Sequence, residues 1–322
     1  MPRRVVGQLG FGEAGLSRRE GRGVDALQEI SRLVDWSRID GVLSSIHTST
    51  KGEAAYPPLV MFKVLLLQRW HGLSDPAMES ALSDRLSFLR FAGLSLEDET
   101  PDHSTIWRFR NKLTQDGLIE RLFAEVVEQL SRNRVLVKEG TMIDATLLTS
   151  AARRPGHQEP KESKTDPDAR FGTSNERGRF EFGYKFHAAV DVGSDLVRAV
   201  AVTPANVQEV TIADALIPED AGTVYADRGY HSKRLRDFLV DRKLGDAIMR
   251  RGDRRQPLSE AEQQKNHAIT AVRSNIERLF GHLKRSYRLG RLRAFSLARN
   301  NVDLHLYAIA FNLRRWRRLA TP

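Results

Sequence analysis

Cysteine is absent from this chain of 322 residues, which removes disulfides, zinc ribbons and thiol catalysis from consideration. A reducing, cytoplasmic setting is the expectation for such a chain. Also missing is any apolar run of ~18 residues, the length a membrane span needs. The opening MPRRVVGQLGFG carries arginines but no apolar stretch of signal-peptide length, so no membrane partner is expected. Histidines number nine, and no two stand at a metal-binding spacing. Acidic residues are in deficit, with 41 Asp and Glu against 51 Lys and Arg, so the formal net charge is +10 and the pI is near 10.0. A balance of that sign points to an acidic partner, most simply a nucleic acid. A basic surface without any ligand is the plainer alternative. The hydrophobic fraction of 40% supports a core, and the length suits two domains or one large one.

Three stretches follow one another along the chain. Residues 1–24 are rich in Gly and Arg and are expected to be flexible. Gly10, Gly12 and Gly15 match the G-x-G-x-x-G pattern there, but LSRREGRG follows instead of an apolar-faced helix, so a dinucleotide site is not expected. Residues 25–136 read as an all-helical domain. Pro57-Pro58 opens a helix through LVMFKVLLLQRW. Asp75-Pro76 reads as an N-cap and first-turn pair leading into AMESALSDRLSFLRFAGL. In DHSTIWRFRNKL, Asp102 and Ser104 are capping candidates, and Ile106, Phe109 and Leu113 share one buried face while Arg108, Arg110 and Lys112 point elsewhere. LIERLFAEVVEQLSRN completes the set.

Residues 137–322 change period. GTMIDATLL is a short apolar run with Asp144 at its centre. Residues 151–180 are polar and read as a mobile insertion. GYKFHAAVDV and LVRAVAVTP form a strand pair, ANVQEVTIADAL a helix, and GTVYADRGY a strand and turn. SKRLRDFLVDRKLG reads as a helix with a Gly stop, DAIMRR as a fifth strand. A long helix containing AVRSNIERLFGHLK follows, then the apolar helix DLHLYAIAFNL and a basic tail, RRWRRLA.

Three carboxylates stand out in this frame: Asp144, Asp227 in TVYADRGY, and Glu277 in the long helix. Each brings oxygen ligands suited to a divalent metal, and paired ions of that kind cut or join phosphodiesters. At ~100° per helical residue, Arg273, Glu277 and Lys284 fall within roughly 40° of one another. Val272, Ile276, Leu279, Phe280 and Leu283 form the adjacent apolar face. Plainer roles exist for each. Asp144 can be an ordinary hydrogen-bonded strand residue, Asp227 an Asx turn before Gly229, and Glu277 a surface ion pair with Arg273. Asp191 competes for a metal role, although a hairpin turn at Gly193 accounts for it. His187 and His231 read as ordinary polar residues or as donors to a ligand.

The order strand, strand, strand, helix, strand, helix, strand, helix, with acids at Asp144, Asp227 and Glu277, resembles a bacterial DDE transposase of the insertion sequence 5 family. The resemblance covers nearly the whole chain: PDHSTIWRFRNKL, TMIDATLL, DPDAR (Asp166 to Arg170), GYKFHAAVD, VTPANVQE, and Asp227-Arg228-Gly229-Tyr230 in D-x-G-Y form. The family's Tyr-Arg-Glu-Lys signature is met at Arg273, Glu277 and Lys284, while its tyrosine position holds Thr270, whose hydroxyl can still donate a hydrogen bond. The resemblance implies an α/β ribonuclease-H-like catalytic domain, a mixed five-stranded sheet with helices, behind an all-α N-terminal domain. It implies two Mg²⁺ ions, with Mn²⁺ able to substitute, held by Asp144 between them and by Asp227 and Glu277 on either side. Arg273 and Lys284 are implied to hold phosphate. The implied activity is cleavage at the inverted-repeat ends of an element and joining of the 3′ hydroxyl to target DNA. The implied partners are double-stranded DNA, at transposon ends and target, and at least one further copy of the chain. A bacterial protein acting at the nucleoid is implied as well. Arg108, Arg110 and Lys112 are candidate DNA contacts on a recognition helix, with a solvated basic face as the alternative. A catalytically silent DNA-binding derivative and a ribonuclease-H-like nuclease remain open as other functions.

Overall fold

The computed structural model describes residues 2–8, 26–46, 54–156, 158, 162–173, 180–252 and 256–320. Contacts divide the chain into two units, Met1–Asn133 with His305–Pro322, and Arg134–Leu304.

The first unit is helical. Helices α1 (Ala26–Leu33) and α2 (Trp36–Leu43) are followed by α3 (Pro58–His71). Pro57-Pro58 opens α3 as its fixed φ favours, and Gly72 ends it at φ 61, where a glycine meets no Cβ penalty. Nearly every side chain of α3 from Val60 to Trp70 is buried, as expected for a helix that is apolar on all sides. The next run was expected as one helix and is two, α4 (Asp75–Asp84) and α5 (Leu86–Ala92). Arg85 turns extended between them, at φ −115 and ψ 105. The N-cap of α4 is Ser74, whose hydroxyl accepts from Ala77 N at 3.3 Å, so Asp75 is not the cap. Helix α6 (His103–Asp116) starts at Asp102, which accepts from Thr105 N at 2.7 Å, and buries Ile106, Phe109 and Leu113 as their spacing predicts. Helix α7 (Ile119–Arg132) follows.

Asp75, free of capping, takes another partner. Arg110 of α6 donates to its Oδ1 at 2.6 Å and Oδ2 at 3.1 Å, and to Gln68 of α3 at 2.8 Å. The expectation that Arg110 points outward with Arg108 and Lys112 is therefore corrected: its fork joins three helices. Residues 2–8 depart from the expected loose segment too. Arg4 N bonds Ala55 O at 2.8 Å, Ala55 N bonds Pro2 O at 2.7 Å, and Gly7 N bonds Asp98 at 2.7 Å. Gly10, Gly12 and Gly15 lie outside the described residues.

The second unit is built on a sheet. Its strands are β1 (Gly140–Thr149), β2 (Arg170–Thr173), β3 (Phe180–Asp191), β4 (Val197–Pro204), β5 (Thr223–Ala226) and β6 (Gly245–Ile248). Across the sheet the order is β2-β3-β1-β5-β6, with β4 also on β3. Strands β1 and β4 are antiparallel to β3, and β5 and β6 extend the sheet in parallel from β1. This is the ribonuclease-H-like arrangement. The five expected strands are present, and a sixth, β2, comes from the stretch read as a mobile insertion. Its pairing with Phe180–Gly183 of β3 depends on Asp166, which is fully buried. That carboxylate accepts from the Ser150 hydroxyl, the Tyr184 hydroxyl and Ser296 N, and so holds DPDAR against the sheet. Residues 157, 159–161 and 174–179 of the same stretch lie outside the described residues.

Helices cover the sheet. A short turn of α8 (Ala213–Leu216) and helix α9 (Lys233–Asp241) contribute to the core that takes Ile143 and Ala189. Helix α9 stops through Lys243 at φ 56, with Leu244 N on Leu239 O, and not through a glycine. Gly245 instead opens β6, where a Cβ would stand 2.6 Å from Thr223 Oγ1. Helix α10 (Glu260–Ser286) begins with a capping box between Ser259 and Glu262 and packs on β1 and β5. The last helix, α11 (Leu297–Ala320), absorbs the run expected as a basic tail. Trp316 is buried, and Arg317 pairs with Glu29 of α1 at 3.3 Å. No helix among the described residues is long and apolar enough to cross a membrane.

Replacing Arg110 by Met leaves Asp75 without its counter-ion and should lower stability by about 2–3 kcal/mol in a urea titration. That is below the range for a fully buried pair, because Arg110 and Asp75 keep 16% and 20% exposure. Lys112→Ala removes only an i,i+4 pair with Asp116 and should cost under ~0.5 kcal/mol. Equal losses would show that Arg110 is not a structural tie.

Candidate active site

Strands β1, β4 and β5 run in one direction, so their carboxyl ends share one edge of the sheet, where ligands of open α/β sheets gather. Three acids occupy that edge. Asp144 lies within β1, opposite Ala188 of β3. Asp227 directly follows β5 and accepts from Gly229 N at 2.8 Å, which forms the turn Arg228–Tyr230. Glu209 opens the turn Glu209–Thr211 after β4. Lys185 comes from β3, opposite Leu147, with its Nζ 3.3 Å from Glu209 Oε1 and donating to Val207 O at 2.9 Å. Gly229 sits between two of the acids. A Cβ there would stand 3.0 Å from Asp227 Oδ1 and 3.6 Å from Glu209 Oε2.

The charges of these groups act on one another. Asp144 accepts from Arg273 Nη2 of α10 at 2.8 Å and from Ala145 N at 2.8 Å. Burial nevertheless pushes its carboxyl up to about 7; Arg273 and the amide oppose that shift, and Asp227 and Glu209 reinforce it. Burial raises Glu209 as well, against the pull of Lys185. Tyr230 is fully buried, and its hydroxyl has no hydrogen-bond partner among the described residues. Its proton is held well above the usual phenol range by burial and then by Glu209, Asp144 and Asp227.

The structure therefore brings together Asp144, Asp227 and Arg273 of the residues singled out from the sequence. Arg273 is buried at 6% exposure, whereas Glu277 and Lys284 are exposed, so the expected common stripe divides into an inward and an outward part. Glu277 makes no hydrogen bond or ion pair among the described residues. It lies four residues, or about 6 Å of helical rise, beyond the arginine that occupies the place beside Asp144. Thr270 spends its hydroxyl on Asn266 O of its own helix at 2.9 Å. Arg108 is exposed and bonds Ser104 and Thr105 of its own helix, and Lys112 pairs with Asp116. His187 bonds Thr203 at 2.8 Å in the core, opposite Ala145 and so on the other face of the sheet from Asp144. Burial holds it neutral, at about 3. His231 is exposed. Asp191 is a turn residue that accepts from Val137 N, Lys138 N and Ser194 Oγ.

Three contributors escaped the sequence reading: Glu209, Lys185 and the buried phenol of Tyr230. The available signal was positional, since Glu209, like Asp227, is an acid shortly past the carboxyl end of a strand.

Among the described residues no three Asp, Glu or His side chains stand close enough to hold one ion by themselves. The donor set still suits a hard divalent cation, being all oxygen, with an orphaned buried hydroxyl beside it. Magnesium is commonly held by one or two carboxylates plus waters and phosphate oxygens, not by a protein cage.

A central-strand acid, a second acid closing the neighbouring parallel strand and a guanidinium between sheet and helix, on this strand order, define the ribonuclease-H-like class of nucleic-acid phosphoryl-transfer proteins. Comparison with known families narrows the class. Residues 135–313 match the family described as Transposase DDE domain, and residues 18–112 match the one described as Transposase domain (DUF772). The chain belongs to the DDE transposase family, with the domain pair typical of insertion sequence 5-like members. Among solved structures it is similar to a piggyBac transposase synaptic complex with hairpin DNA, determined by cryo-EM. The identity is 12% over 93% of this chain and 77% of that one, with a TM-score of 0.44.

The raised Asp144 carboxyl has a consequence for stability. The folded protein holds this proton up to about 7, whereas the unfolded chain releases it near 3.8. The folded state therefore binds more protons between those values, and stability falls as pH rises through that window. In EDTA, the stability of Asp144→Asn relative to the parent should rise from pH 4 to pH 8, because only the parent loses this proton across the window, while the loss of Arg273's counter-ion is felt at both ends. A gap that does not change with pH would contradict this.

Proposed function

We propose that this transposase binds the terminal inverted repeats of an insertion sequence, cleaves phosphodiesters at its ends and joins the freed 3′ hydroxyl to target DNA. The observation that carries the reading is the meeting of Asp144, Asp227 and Arg273 at the carboxyl edge of the sheet. Asp144 and Asp227 would hold divalent cations, Mg²⁺ or Mn²⁺, with Glu277 as the third acid from α10. When bound, two such ions activate the entering oxygen and stabilise the leaving one at phosphorus. The chain's own contribution is placement. Backbone pairing fixes Asp144 within β1 and holds β5, which Asp227 directly follows, and the Gly229 amide orients Asp227. Arg273 neutralises Asp144 and offers a planar fork to a phosphate oxygen, and Lys284 adds a point charge further along the helix. Each step is an in-line displacement in which the phosphate must be held still, and a buried guanidinium serves that better than a mobile one.

The helical residues 25–136 would recognise the ends or mediate dimerisation, with Arg108 as the exposed cation of α6 and Lys112 beside it. Two ends must be cut and joined together, which calls for at least two copies of the chain on DNA. Work at the bacterial nucleoid in the cytoplasm follows from that partner. A second reading, a DNA-binding derivative without catalysis, is favoured by two observations: Thr270 replaces the signature tyrosine, and Glu277 stands in solvent away from Asp144. A plain nuclease has less support, since it needs no dedicated helical module.

The test uses full-length protein and a labelled duplex carrying the element end, with target DNA and either Mg²⁺ or EDTA. Nicking at the end and joined products should require the metal, and Asp227→Asn should reduce both by about 100-fold or more. Tight binding of the end with no cleavage in Mg²⁺ or Mn²⁺ would leave the silent derivative standing.

A further inference from the structure

Among the described residues, Glu209 is the one acid at this edge to which the proposed reaction gives no task. It enters after β4, the strand outside β3, and so approaches Asp144 and Asp227 from a different quarter than α10 does. Its Oε1 is tied by Lys185, itself fixed on Val207 O. The other oxygen, Oε2, is left facing Asp227 across the room that a side chain at Gly229 would fill. Two carboxylates brought so near each other repel unless a cation or a proton lies between them. The hydroxyl of Tyr230, in the turn that Asp227 opens, is subject to the same charges. It is fully buried, it lacks a partner, and Glu209 is the charge that weighs on it most. A buried hydroxyl without a partner costs about 1–3 kcal/mol, which a ligand or an ordered water would recover. A purely structural Lys185–Glu209 pair explains neither the facing oxygens nor the orphaned phenol.

We propose that Glu209 is a fourth carboxylate of the cation site, holding a divalent cation together with Asp227, with Lys185 setting its orientation. The proposal rests on the reading of Asp144 and Asp227 as cation-holding acids. It assigns to the chain a donor that lies outside the Asp-Asp-Glu set, on the side of the sheet edge opposite Glu277's helix. It also gives Gly229 a reason to be glycine at an ordinary backbone angle, since a methyl group there would press on Asp227 Oδ1 and occupy the space as far as Glu209 Oε2.

The experiment is Mn²⁺ binding to the full-length protein without DNA, followed by the EPR signal of free Mn²⁺ into the millimolar range. Glu209→Gln should weaken binding at least ~10-fold, as should Asp227→Asn, with the metal-free melting temperature retained. Gly229→Ala keeps every charge but fills the gap, and should weaken binding too; it carries the test if Glu209→Gln does not fold. Parental affinity in Glu209→Gln and Gly229→Ala, with Asp144→Asn and Asp227→Asn impaired, overturns the proposal and spares the reading of the two aspartates. Absence of any Mn²⁺ site in the parent protein overturns both, and DNA cleavage then judges the transposase reading separately.

Discussion

A carboxylate in the middle strand of a sheet is costly unless something compensates its charge, and here Arg273 does so from 129 residues away in sequence. Much of the second unit is arranged around that one contact. Helix α10 must cross β1 and β5 at a depth that buries an arginine, which its apolar residues Ile276, Leu279, Phe280 and Leu283 secure. Strands β5 and β6 are four residues each, and the turns after β4 and β5 carry the acids Glu209 and Asp227. Burial outweighs that compensation, and the Asp144 carboxyl is raised to about 7. Asp144, Asp227 and Glu209 thus gather at one edge of a protein whose formal net charge is +10.

That net charge is distributed in a particular way. Arg38, Arg110, Arg198 and Arg236 are matched with Glu125, Asp75, Asp220 and Asp246. Each such pair is neutral, so the whole excess of +10 resides on other groups. Arg38 and Arg110 grip both oxygens of their carboxylates, Arg198 and Arg236 each bond one carboxylate oxygen and a backbone carbonyl, and a tally of basic residues overstates the number available to phosphates. Arg108 and the half-exposed Trp107 beside it on α6 belong to the other set.

The sequence was most legible where a local pattern and a tertiary need coincide. Ile106, Phe109 and Leu113 are buried as their helical spacing requires, and an Asp inside the apolar run GTMIDATLL marked its own importance. Legibility failed where the deciding partner is distant. Strand β2 sits in a polar stretch and exists because Asp166 finds Ser150, Tyr184 and Ser296, none of which a local window contains. Ser74 and Asp75 are both good caps, and only the position of Arg110 decides between them. The break at Arg85 falls inside an uninterrupted helical pattern. Glu209 lies in ANVQEVTIADAL, expected as one helix and found as two short turns, and its side chain is held by Lys185 from another strand. Arg273 and Glu277 share a helical face on paper, yet depth against the sheet separates them by a turn.

The division of the chain bears on its birth as well as its form. Residues 305–320 complete the first unit: Trp70 Nε1 donates to Ala310 O at 2.7 Å, His305 stands edge-on to Phe123, and Leu306, Ile309 and Leu313 are buried. The helices of this unit therefore keep part of their apolar surface uncovered until residues 305–320, which follow the whole of the second unit, are available. The unit carrying the acids, by contrast, is contiguous from Arg134 to Leu304 and has its residues in hand earlier. A chain cut before residue 305 would keep the acids and yet leave the helical unit without its closing segment.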